Sequence, residues 1–136
     1  MKSMHFSKFG LPVILLSGLT SPSYANEAEQ SFVKELASCA AYYEIASTAI
    51  ASMNAPQMQV VGKRLQKSGI QATEIASQYS EKAQVQKVVA AEKLKQEQAL
   101  NGSSNLGVLM RQYKEPCKQI LAEPQKRLDY WVMVTM

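Results

Sequence analysis

Residues 32–53 read FVKELASCAAYYEIASTAIASM, and this stretch decides the fold. Its less polar residues fall at Phe32, Leu36, Cys39, Tyr43, Ala46, Ile50 and Met53, in steps of 4, 3, 4, 3, 4 and 3. That spacing is one face of a helix built to pack against other helices. Glu27 and Glu29 lie just upstream, where carboxylates suit the positive end of the helix dipole. The expected helix covers about residues 28–53, and the Asn54-Ala55-Pro56 turn ends it, with Asn54 as the expected cap of the next helix.

The segment after that turn repeats the pattern. Met58, Val61, Leu65, Ser68, Ala72, Ile75 and Tyr79 again alternate steps of 3 and 4. Gly69 reads as a soft spot that costs about 1 kcal/mol against Ala. Beyond Tyr79 the register shifts, because Val85, Val88 and Val89 lie on a different face. NGSSN at 101–105 is a strong break with Gly102 near the helix end. A last helical run then carries Leu106, Leu109, Tyr113, Cys117, Ile120 and Leu121. Pro116 within it predicts a kink or a break, and Pro124 is placed to open a final short helix. No strand pattern is evident before the last few residues, and no internal repeat stands out.

The first 25 residues read as a cleavable signal peptide. Lys2 and Lys8 precede an apolar run at 9–19, and small residues at Ser23 and Ala25 predict cleavage between Ala25 and Asn26. The run is too short for a bilayer that needs about 20 residues. No cysteine follows it, so no lipid anchor is expected. The predicted mature chain, 26–136, is a single helical domain with 13 basic against 11 acidic residues. Export into the periplasm or the medium follows, with no stable membrane insertion after cleavage.

Cys39 and Cys117 are the only cysteines. In an exported chain they are expected to pair. The loop they close gives about 4 kcal/mol in the chain-entropy account. The disulfide also chooses between architectures. One continuous helix over 56–100 would be about 67 Å long against about 39 Å for the first helix, leaving the cysteines about 30 Å apart along the axis. Cα atoms of a disulfide must come within about 7 Å. A break near residues 79–81 brings them level. The sequence therefore predicts an all-α, antiparallel up-down bundle of four helices stapled by one disulfide, with a three-helix form containing one long bent helix as the alternative.

Several chemistries are excluded by composition. The sole histidine, His5, lies in the predicted leader, so the mature chain has none. Histidine-based triads, histidine zinc or copper sites and haem ligation by histidine are out of reach. No C-x-x-C pair is present, and glycine is too sparse for a phosphate loop. No catalytic residue, metal or cofactor is assigned. The eleven acids are expected mostly on solvated faces, and a carboxylate-based enzyme is the least favoured reading. Lys63, Arg64 and Lys67, and separately Lys126 and Arg127, are too few for a nucleic-acid surface.

Aromatic and methionine residues are the contact candidates. Tyr42 is offset from the first helix's stripe and is expected to reach the surface. Tyr130, Trp131, Met133 and Met136 enrich the C-terminus in residue types common at interfaces, though a small domain also needs such residues to close its core. The leading expectation is a non-catalytic exported module, an accessory, inhibitor or immunity-type protein, binding another envelope or secreted protein. The alternative is carriage of a small apolar ligand in space left by Ala46, Ala72 and Ala76.

Overall fold

The structure is a computed structural model that describes residues 26–136. The signal peptide reading and Ala25 lie outside the described residues. The described chain is an all-α bundle with α1 at Glu27–Ala51, a 3-10 turn at Pro56–Met58, α2 at Gln59–Ala76, α3 at Lys82–Leu100, α4 at Gly107–Ala122 and α5 at Pro124–Val134. No helix among these residues is long and apolar enough to cross a membrane.

Asn26 starts α1 with a capping box. Its side-chain oxygen accepts from the Glu29 amide at 2.9 Å, and the Glu29 carboxylate accepts from the Asn26 amide at 3.3 Å. Two orphan donors of the first turn are thereby satisfied. At the far end the cap of the 3-10 turn falls on Ala55, without a side-chain capping bond, rather than on Asn54. Pro56 still opens the turn, as its fixed φ favours.

α1 is the axis of the molecule, and every other helix packs on it. Its heptad stripe is only part of the buried surface. Val33, Ala37, Ala40, Ala41, Tyr42 and Ile45 are buried as well. A helix apolar on most sides belongs inside a bundle, not along its edge. Counting the large apolar residues alone hides this, because the alanines that admit neighbouring helices read as neutral.

α2 runs antiparallel to α1. Gly62 faces Ile50, Gly69 faces Tyr43, and Tyr79, just past the end of α2, meets Phe32 edge-to-face at 5.5 Å. A Cβ on Gly69 would lie 3.2 Å from the Tyr43 Cβ. Gly69 is therefore a point of close approach rather than a soft spot. The chain leaves α2 and re-enters helix at Lys82, so the break falls where the register shift placed it. α3 ends at Asn101 and Gly102, both with positive φ (49° and 78°), the left-handed termination that Gly and Asn accept most readily.

α4 also runs antiparallel to α1, since Tyr113 stacks on Tyr42 at 5.8 Å and Cys117 bonds to Cys39, one turn before Tyr42. α4 continues through Pro116, so of the kink or break expected there the break is excluded. Pro116 is exposed, and so is Gln112, whose carbonyl loses its amide partner there. The break comes at Glu123, whose backbone (φ −137°, ψ 65°) lies outside the α region that a following proline disfavours. Pro124 opens α5, the final short helix expected there, so the described residues form five α-helices rather than the four of the expected bundle.

Candidate functional site

The densest polar cluster of the structure lies where α1, α4 and α5 meet. The disulfide sets its position. Cys39 and Cys117 are fully buried with Cα atoms 5.5 Å apart, which fixes α4 against the middle of α1. Glu35 is one helical turn before Cys39. The turn at Glu123–Pro124 then sends α5 back past it.

Arg127 of α5 closes on Glu35. Its Nε lies 3.0 and 2.8 Å from the two carboxylate oxygens, and its Nη2 donates to Oε1 at 2.6 Å. The planar fork matches the carboxylate in the bidentate manner available to Arg and not to Lys. Trp131, one turn later, donates its indole N–H to Glu35 Oε2 at 2.8 Å. The hydrogen bond to Glu35 holds the Arg127 pKa above its ordinary value, against the opposing effect of burial. The guanidinium also sits 4.3 Å from the centre of the Tyr130 ring, a cation–π distance.

Two open clefts flank this pin. One, of about 760 Å³, has Glu35, Gln119, Glu123 and Tyr130 among its walls. The other, of about 530 Å³, runs past the disulfide between Trp131 and Tyr113 on one side and Glu92 and Lys95 of α3 on the other. Glu92 is only 7% exposed. It accepts from the Ser38 hydroxyl at 3.2 Å and has the Lys95 ammonium 3.8 Å away. Gln96 beside it donates to the Ser38 carbonyl at 2.8 Å, while its own Oε1 is buried without a partner. A third open cleft, of about 640 Å³, lies along Glu44, Ser47, Gly69, Thr73 and Val89.

Of the contact residues expected from sequence, Tyr42 is corrected. It is 3% exposed, wedged against Tyr43 and Tyr113, and unavailable to a partner. Burial raises the pKa of both Tyr42 and Tyr43. Trp131 is half-buried, packs against the core and spends its N–H on Glu35. Tyr130, Met133 and Met136 are exposed, at 40%, 67% and 98%. Sequence reasoning missed Glu35 and Arg127, which it placed with the solvated charges. Their meeting depends on the turn at Glu123, which no local pattern in the sequence signals.

No group of three or more His, Cys, Asp or Glu among the described residues is arranged to hold a metal ion. Glu35 is engaged by Arg127 and Trp131, and Glu92 by Ser38 and Lys95. The fold and its best-formed site thus describe a disulfide-stapled helical bundle whose last helix is pinned to the central one. Compared with known proteins, the chain matches no family model, no curated protein and no solved structure.

Proposed function

We propose that this is an exported, non-catalytic module that binds another protein through the outer face of α5. One observation carries the reading. Tyr130, Met133 and Val134 occupy one face of α5 at spacings of 3 and 4, and all three are exposed on a helix held rigidly from behind by the Glu35–Arg127 pair and Trp131. Such spacing is how an amphipathic helix offers anchors to an apolar groove. Side chains of these types on a pre-ordered helix bind with little loss of backbone freedom. The disulfide agrees with an oxidising compartment and so with the leader read at residues 1–25. The ligand-carrier reading has less support. Ala72 and Ala76 are fully buried and Ala46 nearly so, which suits close helix packing.

The test is native mass spectrometry of protein isolated gently from the envelope fraction of cells that make it. Wild type and a Met133→Glu, Val134→Glu variant are compared. The expected result is a second protein that accompanies wild type and is lost from the variant, with no change in melting temperature. A bare wild-type chain, or a partner retained by the variant, would overturn the proposal.

A further inference from the structure

We propose that α3 is a hinged wall that swings away from α1 while the other four helices stay assembled. The remainder of the bundle does not depend on α3. α2 is zipped to α1 along its length by Gly62, Gly69 and Tyr79. α4 is joined to α1 covalently, and α5 is pinned through Glu35. α3 leans chiefly on α1, with Val89 and Leu100 only half-buried against the core. Val85, Glu92 and Gln96 are its only buried residues, and two of those three are polar.

The seam between α3 and α1 is expensive. Glu92 is a carboxylate almost out of water, with one long hydroxyl bond and a distant ammonium for company. Gln96 is 1% exposed and leaves its Oε1 unpaired. An unsatisfied buried acceptor loses its hydration without return, and an open state restores it. Lys93 adds an ion pair to Glu44 at 2.7 Å, but on the half-exposed rim, where such pairs count for little. Both ends of α3 meet non-helical links, the first of them anchored at Tyr79. Residues 77–81 form one non-helical link, and Asn101 and Gly102, in the left-handed region, form the other.

Swinging α3 out has a geometric result. It is one wall of two separate clefts, through Lys82 and Val89 on one side and Glu92 and Lys95 on the other. Without it the two become one open channel along α1, floored by Ala40 and Ser38. Segments of lowest local stability are the ones that proteins use as gates.

Native-state hydrogen exchange on the oxidised protein tests this. Amides in the middle of α3, residues 86–98, are expected to exchange with protection at least about tenfold lower than the core of α1, through an opening that denaturant barely accelerates. Gln96→Met removes the orphan acceptor together with the bond to the Ser38 carbonyl, which keeps its own partner within α1, and is expected to raise α3 protection about tenfold. Ile50→Val, at the α1–α2 contact far from the seam, weakens global stability mildly. It is expected to lower α1 protection about fivefold and leave α3 unchanged. If α3 and α1 share one protection level, or if α3 falls with α1 in Ile50→Val, α3 opens only when the whole protein unfolds and the hinge is excluded.

Discussion

Arg127 and Glu35, 92 positions apart in the chain, meet through a guanidinium–carboxylate fork whose shortest contact is 2.6 Å. The pair is partly shielded from water, at 34% and 22% side-chain exposure. It is therefore worth more than a surface ion pair and less than a fully buried one. Removing one partner leaves the other half-buried and uncompensated. Glu35→Ala is expected to cost about 2 kcal/mol in urea unfolding. Arg127→Lys keeps the charge but not the fork and is expected to lose about half as much. Trp131 is the sole tryptophan, so its fluorescence reports directly on whether α5 has come away.

The disulfide makes a separate prediction. Cys39 and Cys117 are 78 residues apart, and opening that loop frees a large part of the unfolded chain. A Cys39→Ala, Cys117→Ala variant is expected to lose about 4 kcal/mol. The check is the denaturation midpoint, with the slope monitored to separate lost stability from an expanded unfolded state.

Gly69 sets propensity against packing. Helix propensity alone favours Gly69→Ala by about 1 kcal/mol. The new methyl would lie 3.2 Å from the Tyr43 Cβ, an atom too near the backbone to move aside. Packing is expected to win, and the variant to be destabilised by about 1 kcal/mol, since overpacking costs more than the propensity gain. A higher melting temperature for Gly69→Ala would show that α2 can shift away from α1.

High pH should loosen the centre of the bundle. Burial raises the folded pKa of Tyr42, and burial with the neighbouring Tyr42 raises that of Tyr43. The unfolded chain therefore gives up these protons first, near pH 10. Above that pH the unfolded state binds fewer protons than the folded one, so stability falls as pH rises. The contribution is complete below the unfolded pKa and lost through the folded one. Melting temperature followed into the alkaline range should decline above about pH 10, and Tyr42→Phe should soften the decline.

Local chemistry was legible in the sequence, and long-range pairing was not. The 3-4 spacing located α1 and α2, the change of register located the gap before α3, and the cysteines placed α4 beside α1. Each of these signals lies within one turn or rests on a bond between two unique residues. Tyr42 defeated the reading because neighbours cover most of the circumference of α1, and a single heptad stripe marks only part of it. At Pro116 the sequence left a kink and a break open, and the structure excludes only the break. The Glu35–Arg127 contact depends on how sharply the chain turns at Glu123, a geometry the preceding residues do not announce. Glu92 and Gln96, ordinary surface types in composition, are buried only because α1 offers Ser38 opposite them.

The position of α1 carries a consequence for biosynthesis. The helix that every other described helix covers is also the first of them in chain order. When it leaves the ribosome or a translocation pore its apolar flanks face solvent on nearly all sides, and none of its shields yet exists. α2, next in line and antiparallel, can fold back at once and hide one flank. The flank that Cys39 belongs to must wait until residue 117 has emerged. During that interval a lone thiol and a bare apolar surface travel together, the state in which nascent chains most need a chaperone and an oxidant close at hand.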